Sequence, residues 1–282
     1  MGQTQQPTGW SVIGGGGLAT SWSYLTNAND RRLAQIANTP GRTFNFTTTP
    51  TALITAVGEA PSPPGQNWAF GYDHANRLVS GTSTTEGNYG YGLDPNGNIT
   101  AYGTQPAAYN STNELTSLNG VPYTWDAAGE LVSDASRTYS WDAAHRLIGI
   151  AYAAQPGMTT VFAYDGLGRR VATTTTINGT PTTTFTVWCG HRLCQSQNPD
   201  HTIAREYFAE GEYLPSEQAS LYYGPDQLGS VRDAYATSPL FNIPQAYDYD
   251  PTGNPILTPT QGPLTDFRYA HMFYHADSGL SI

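Results

Sequence analysis

Cys189 and Cys194 enclose the four residues Gly-His-Arg-Leu, a spacing that could support either redox or metal chemistry. In a hairpin with a four-residue loop the two cysteines would face each other, and a disulfide can form when their Cα atoms lie within about 7 Å. His191 between them suggests a metal ligand, but two Cys and one His leave a tetrahedral zinc site one ligand short. Since synthesis in the cytoplasm keeps thiols reduced, the sequence favours two ordinary thiols, with the disulfide and the metal site as alternatives.

A second group that could bind metal lies near the C-terminus. His271 and His275 would share a face in a strand or a helix, and Asp277 follows them. The helical motif of metalloproteases requires Glu directly after the first His, whereas this chain has Met272. We therefore favour a structural role for both histidines and expect no metal site.

Paired acidic residues raise the question of hydrolytic chemistry. Asp248 and Asp250 would lie on one strand face, with Glu206, Glu210 and Glu212 upstream. Two carboxyl groups across a bond are the catalytic pair of glycoside hydrolases. Residues two apart on a strand are nevertheless about 7 Å apart whatever they do, and Asp250 belongs to a turn. The nucleophile motif Gly-x-Ser-x-Gly is absent from the sequence. We predict that the chain is not an enzyme and binds no cofactor.

Charge and composition exclude further classes. All 12 basic residues are Arg, which rules out a phosphate-loop lysine and a Schiff-base lysine, and makes the glycine run 14–17 a linker. The formal net charge of −10 argues against nucleic-acid binding, which depends on basic contacts to phosphate. There is no apolar run of about 18 residues, so we expect no membrane span. No basic region leads an apolar core at the N-terminus, so we expect no signal peptide.

The elements that would position these groups follow a repeat. The stretch from Tyr123 to Ile150 contains one unit twice, 16 positions apart, so that Tyr123, Trp125, Asp126 and Leu131 return as Tyr139, Trp141, Asp142 and Leu147. Alternating aromatics are typical of a strand end. The Asp carboxylate can accept a hydrogen bond from the backbone N–H two residues on, which starts a turn.

The same four-residue rule recurs along the chain, with Asp or Asn first and a residue that tolerates positive φ fourth. The predicted structural turn pairs are Asp73 and Asn76, Asp94 and Gly97, Asn110 and Asn113, Asp126 and Gly129, Asp142 and His145, Asp165 and Gly168, Asp226 and Gly229, and Asp250 and Gly253. One such turn is common in any β protein. Eight copies, most of them preceded by an aromatic residue and followed by Leu, Val or Ile, predict a repetitive array of β-hairpins.

Local patterns predict further elements. Asn178-Gly179 between two Thr-rich runs is a strong hairpin signal. Phe44 and Phe46 alternate with Thr over 43–49, which suggests an edge strand. A helix is conceivable over 29–37, ended by Pro40-Gly41. We interpret 26–30 as a turn and 61–65 as a surface loop.

These repeats resemble the YD repeat of Rhs proteins and their relatives. The best matches to Tyr-Asp-x-x-Gly/Asn-x-Arg-Leu are Tyr72–Leu78, Trp141–Leu147 and Tyr164–Arg170. Near the C-terminus, Tyr223–Asp233, Ala246–Pro255 and Phe267–Leu280 resemble the Rhs-associated core. The resemblance implies an all-β fold, a repetitive antiparallel β-hairpin ribbon curving into part of a hollow Rhs-type shell. It divides the chain into a loose N-terminal segment (1–21), a YD-repeat array (22–220) and an incomplete core region (221–282).

The resemblance also implies a function, that of a non-catalytic shell segment of an Rhs-type polymorphic toxin that encapsulates a C-terminal toxin for secretion. The implied partners are the remainder of the shell, its toxin domain and a secretion spike protein of a type VI apparatus. The implied setting is a bacterium that makes the protein in its cytoplasm and exports it by a dedicated machine. The chain ends at Ile282, before the family's self-cleaving segment and toxin, so we expect open strand edges that associate with other copies.

A second hypothesis is a cell-surface carbohydrate-binding or adhesion β-scaffold, like the YD-repeat shells of animal teneurins. In that case Trp125 and Trp141 would stack on sugar rings.

Overall fold

The computed structural model describes residues 8–11, 17–25, 31–61, 67–238 and 241–282. Within these ranges the chain is antiparallel β-structure with two short 3-10 turns, Pro215–Glu217 and Tyr269–His271, and no α-helix. The all-β, antiparallel hairpin fold predicted from the repeats is therefore confirmed. The turn predicted over 26–30 lies outside the described residues, as do most of the linker 14–17 and most of the loop 61–65. No helix of the described part is long and apolar enough to cross a membrane.

The chain forms two compact units, residues 1–91 with 221–282, and residues 92–220. The first unit begins with β1 (Gly9–Ser11), β2 (Ala19–Tyr24), β3 (Leu33–Thr39), β4 (Thr43–Thr48), β5 (Ile54–Ala60), β6 (Trp68–Tyr72), β7 (Leu78–Ser83) and β8 (Gly87–Leu93). The second unit comprises β9 (Ile99–Tyr102), β10 (Gln105–Tyr109), β11 (Leu115–Leu118), β12 (Val121–Pro122), β13 (Thr124–Trp125), β14 (Leu131–Ser133), β15 (Arg137–Trp141), β16 (Leu147–Tyr152), β17 (Met158–Tyr164), β18 (Arg170–Ile177), β19 (Thr180–Cys189), β20 (Arg192–Gln197), β21 (Ile203–Phe208) and β22 (Gly211–Leu214). The first unit is completed by β23 (Ala219–Pro225), β24 (Val231–Ser238), β25 (Phe241–Ala246), β26 (Asp248–Tyr249), β27 (Pro255–Leu257), β28 (Tyr274–His275) and β29 (Leu280–Ser281). The functional division at residues 21 and 220 stays a prediction.

Within each sheet strand order follows chain order, because strands that are neighbours in the chain pair with each other. In the first unit β4 pairs with β3 through Phe44 opposite Ile36, and with β5 through Phe46 opposite Val57. The edge-strand interpretation of residues 43–49 is therefore wrong. The alternation of Phe with Thr arises because β4 is an interior strand with one buried face, on which Phe44 and Phe46 lie.

The helix considered over 29–37 is also wrong. Residues 33–39 form β3, which pairs with β2 through Trp22 opposite Ile36 and Thr20 opposite Asn38. Ile36 is fully buried in a core cluster with Phe44, Val57 and Trp68. Pairing on both sides and burial of alternate residues outweigh the weak helical preference of this segment.

A second core cluster of the first unit lies under the C-terminal strands. Tyr223, Val231, Ala234, Tyr247 and Tyr249 are buried there. The Tyr249 hydroxyl donates a hydrogen bond to the Val231 carbonyl at 3.2 Å, so the aromatic residues contribute both apolar surface and a satisfied polar end.

In the second unit the predicted hairpin at Asn178-Gly179 is confirmed. These residues join β18 to β19 with φ of 50° and 84°, the left-handed pair that a tight two-residue hairpin requires. Seven residue pairs join β17 to β18, from Met158 opposite Ile177 to Tyr164 opposite Arg170. Thr side chains dominate these strands because β-branched residues pack well on a pleated surface.

Two glycines of one turn give a matched test of backbone conformation. Gly168 has φ of +77°, whereas Gly166 lies outside the left-handed region, and a Cβ at either position would meet no atom within 4 Å. We expect Gly168→Ala to lower the free energy of unfolding by about 1 kcal/mol, since a left-handed residue with a Cβ is strained. Gly166→Ala should leave stability unchanged or raise it slightly. Urea denaturation measures both, and equal effects would contradict a left-handed Gly168.

Candidate functional site

The turn at Asp142 shows how each hairpin is closed. The Asp142 amide donates to the Arg146 carbonyl at 3.0 Å, and the His145 amide donates back to the Asp142 carbonyl at 3.0 Å. One carboxylate oxygen of Asp142 accepts the amides of Ala144 at 2.9 Å and Arg146 at 3.1 Å. The other oxygen accepts Nε of Arg146 at 2.8 Å. With Nη2 of Arg146 at 2.6 Å, this carboxylate contacts four donors of a five-residue loop.

All eight turns found in the sequence have the same pair of backbone hydrogen bonds, from the first to the fifth residue and from the fourth to the first. The fourth residue of each is left-handed, with φ of 60° at Asn76, 92° at Gly97, 63° at Asn113, 79° at Gly129, 60° at His145, 77° at Gly168, 80° at Gly229 and 95° at Gly253. The side-chain oxygen of the first residue accepts the fifth residue's amide in each, with donors Arg77, Asn98, Glu114, Glu130, Arg146, Arg169, Ser230 and Asn254. Next to many of these turns the pairing of the two strands shifts by one residue, as it does between Ser140 and Trp141 beside the Asp142 turn.

The aromatic residue before a turn clamps the hairpin before it. The Trp141 indole N–H donates to the Leu131 carbonyl at 2.8 Å, and the Tyr164 hydroxyl donates to the Leu147 carbonyl at 2.7 Å. Leu131 and Leu147 each come directly after the preceding turn. The same contact joins Tyr72 to Ile54, Tyr109 to Ile99, Trp125 to Leu115, Trp188 to Arg170 and Tyr249 to Val231. We call these contacts the aromatic clamps.

Two further turns of the same kind were not predicted, although one of them, Asn198 to His201, fits the sequence rule. Thr49 and Asn198 occupy the first position, with the same two backbone hydrogen bonds. Ala52 and His201 occupy the fourth position, with φ of 67° and 64°. Thr49 and Ala52 are not of the residue types that the rule requires. Pro50 and Pro199, at the second position, could have indicated both turns, because proline favours that position in a type I turn.

A buried charge cluster, which sequence reasoning missed, lies in the first unit. It consists of Arg42, Glu59, Asp226, Arg232, Asp233 and Asp248, and no side chain in it is more than 8% exposed. Arg42 contacts Asp233 at 2.8 Å and Asp248 at 2.6 Å. Arg232 contacts Glu59 at 2.5 Å and Asp248 at 2.7 Å. Because the charged partners lie up to 206 residues apart in the sequence, no local sequence pattern could predict their contacts.

The buried charge cluster contains more acidic than basic groups, because two guanidinium groups face four carboxyl groups. Burial opposes the charged forms of Arg42 and Arg232, but the surrounding carboxylates outweigh it and raise both pKa values. Burial also raises the pKa of Glu59 and of Asp226, against the lowering effect of Arg232. The guanidinium groups of Arg42 and Arg232 also lie 5.7 and 5.0 Å from the ring centre of Phe44. The cluster therefore links β5 and the turn between β3 and β4 to β24 and β26 by charge as well as by packing.

Comparison with known proteins agrees with this geometry. The family model described as Teneurin YD-shell matches residues 61–185. Residues 61–185 therefore match a YD-repeat shell family. Similar solved structures include the crystal structure of TcdB2-TccC3-Cdc42, with a TM-score of 0.69 and 13% identity over 92% of this chain and 16% of that one. The crystal structure of TcdB2-TccC3 without its hypervariable C-terminal region has a TM-score of 0.66 and 14% identity over 92% and 16%.

A structure of the Photorhabdus luminescens Tc holotoxin pore has a TM-score of 0.57 and 11% identity over 93% of this chain and 17% of that one. The chain thus spans about a sixth of the length of each structure. None of the curated proteins compared with it matches.

The two cysteines of the chain are bonded to each other. Cys189 ends β19, the turn at Gly190 is left-handed, and Cys194 lies in β20 with its Cα 5.8 Å from that of Cys189. The interpretation as two ordinary thiols is therefore wrong for this structure. The hairpin brings the two residues within bonding range, as a four-residue loop allows, and this geometry outweighs the preference for reduced thiols that the cytoplasm suggested.

The residues weighed for metal or hydrolytic chemistry have structural partners. His271 stacks on Phe267 at 4.8 Å, and its burial lowers its pKa. Nδ1 of His275 lies 2.8 Å from the Ser278 hydroxyl, and its Nε2 is 4.0 Å from Asp277. Across the described ranges no group of three or more His, Cys, Asp or Glu side chains could hold a metal ion.

The acidic residues each serve a different contact. Asp248 belongs to the buried charge cluster, and Asp250 accepts hydrogen bonds from Thr252 and Asn254 in its own turn. Glu206 accepts a hydrogen bond from Gln195 at 3.2 Å, and Glu212 pairs with Arg205. These contacts account for four of the five acidic residues without a catalytic pair.

The carboxylates of the turns make the free energy of unfolding depend on pH. Hydrogen bonds from the Arg146 side chain and amide lower the pKa of Asp142. Because the folded pKa lies below the unfolded one, the contribution is complete above the unfolded value of about 3.9 and is lost as the pH falls through the folded value. We expect Asp142→Ala to destabilise more than Asp142→Asn, which keeps an acceptor. Urea denaturation from pH 7 to 2 should show the gap between wild type and Asp142→Asn closing in acid; a constant gap would contradict this account.

Arg232 gives a test of the buried charge cluster. We expect Arg232→Met to lower the free energy of unfolding by about 3–5 kcal/mol, because it leaves carboxylates buried without their cation. The exposed Arg192 is the matched control, and Arg192→Met should change stability by less than about 0.5 kcal/mol. Thermal and urea unfolding measure both. Equal, small effects would show that the cluster does not stabilise the first unit.

The disulfide predicts a thiol count. In the unfolded, unreduced protein we expect no free thiol, and after reduction two, because the chain has only Cys189 and Cys194. Titration with a thiol reagent measures this in one experiment. Two free thiols before reduction would contradict the bond.

Proposed function

We propose that this protein is a non-catalytic structural segment of an Rhs-type shell that encapsulates a C-terminal toxin. The observation that carries the proposal is the succession of hairpins, many of them closed by a carboxylate or amide side chain and joined by an aromatic clamp to the hairpin before. Such a ribbon is built from local pairings and can be extended by repetition, which suits a wall.

The polar chemistry of the turns supports the same proposal. Backbone amide hydrogen bonds lower the pKa of Asp73, Asp126 and Asp165, and the Arg146 side chain together with its amide lowers that of Asp142. A catalytic acid requires a pKa near the working pH, which is the opposite shift. These carboxylates therefore suit turn closure better than proton transfer.

The proposed partners are the remainder of the shell and its toxin domain. The similar structures carry the names of Tc toxin components, TcdB2 and TccC3, and this likeness supports a secreted assembly. Synthesis in a bacterial cytoplasm and export by a dedicated machine belong to the same proposal. A spike protein of a type VI apparatus is its most specific part and rests on the resemblance of the repeats.

Surface adhesion through sugar binding receives less support. The indole N–H groups of Trp125 and Trp141 donate to the carbonyls of Leu115 and Leu131, so the aromatic clamps account for both rings. The match to the Teneurin YD-shell model is compatible with either function, because it reports the shell repeat itself.

Protease protection tests encapsulation. In the complete gene product that contains this chain, we expect the segment after the shell to resist protease while the protein is folded. The double variant Trp125→Ala, Trp141→Ala removes two clamps and should expose that segment, whereas Leu167→Ala, at a side chain 77% exposed, should not. Digestion can be followed by mass spectrometry. A segment cut as fast in the wild type as when expressed alone would refute encapsulation.

A further inference from the structure

A pocket of about 240 Å³ lies in the first unit, beside the buried charge cluster. Its walls are mainly apolar and include five aromatic residues: Trp68, Phe70 and Tyr72 of β6, together with Tyr249 and Tyr269. Neither the turns nor the clamps require an open space at this place. The pocket is therefore a feature of the unit that the repeat alone does not explain.

The aromatic walls are held in place before any ligand arrives. Tyr72 and Tyr249 belong to the aromatic clamps, so their hydroxyl groups are bound to the carbonyls of Ile54 and Val231. The rings of Trp68 and Phe70 stack with centroids 6.1 Å apart, and those of Tyr249 and Tyr269 meet edge to face at 5.4 Å. A preformed site loses little conformational entropy on binding.

The charges around the pocket favour a cation. Asp226 and Asp250 both line it, and the only cation among the lining residues is Arg232, whose Nη1 lies 3.6 Å from the Asp226 carboxylate. Asp226 is buried, whereas Asp250 is half-buried and is the more accessible of the two carboxyl groups. Arg232 is already engaged, since its Nη2 contacts Glu59 and Asp248 and its Nε donates to the Tyr247 carbonyl at 3.2 Å. The buried charge cluster behind it has four carboxyl groups to two guanidinium groups. Aromatic faces add attraction for a positive group.

We propose that this pocket binds the arginine or lysine side chain of another polypeptide segment. Its volume is below the roughly 300–1,000 Å³ of typical small-molecule sites and suits one long side chain. Such a side chain combines an aliphatic stem for the apolar walls with a cationic end for Asp250. This inference does not depend on the proposed function, because it rests only on the pocket and its charges.

The test uses the full chain and two probes of nearly equal shape. N-acetylarginine amide is titrated against N-acetylcitrulline amide, which lacks the charge, and the indole N–H signal of Trp68 is followed by NMR after assignment through Trp68→Phe. We expect a saturable shift with the arginine probe, with affinity at least several-fold above that of the citrulline probe. The affinity should fall as salt is added.

Leu228 provides matched variants at the same pocket. Its side chain lines the pocket but is 55% exposed, so replacing it should not disturb folding. Leu228→Lys should weaken binding of the arginine probe about fivefold by charge repulsion, whereas Leu228→Gln should leave it nearly unchanged. Three results would overturn the proposal: no saturable shift with either probe, equal affinity for both probes, or equal effects of the two variants.

Discussion

A left-handed residue placed opposite an acceptor side chain is the constraint on which this structure depends. In each repeated turn the fourth residue has positive φ, and this lets the fifth amide point back at the first side chain. The oxygen of Asp142 then accepts two amides of one loop, which would otherwise have to find water. Without that reversal the next strand would not meet its neighbour in the observed register.

The aromatic clamps extend this local rule from one hairpin to the next. Trp141 lies just before its own turn and bonds the carbonyl just after the preceding one, so successive turns are connected at a constant offset in the repeat. The rings also bury apolar surface, and their polar ends are satisfied where the clamp forms. A repeat built this way needs few charged residues, which agrees with the 12% of Asp, Glu, Lys and Arg in the chain.

The sequence predicted the hairpin array well, because its determinants are local. Asp142, His145 and the strand that follows lie within a few residues of one another, so spacing alone identified them. Thr49 and Ala52 were missed because the same backbone is adopted there by residues of other types. The buried charge cluster could not be predicted, because Arg42 and Asp248 meet only after folding, and hydrophobic periodicity does not report ion pairs between distant strands. The pocket was missed for the same reason.

Backbone φ angles in solution test the central claim most directly. Scalar couplings and chemical shifts of the labelled protein report φ at the fourth residue of every turn, including the non-glycine positions Asn76, Asn113 and His145. The account predicts positive φ at all eight positions found in the sequence. Ordinary right-handed backbone at Gly97, Gly129, Gly168 and Gly253 would contradict it.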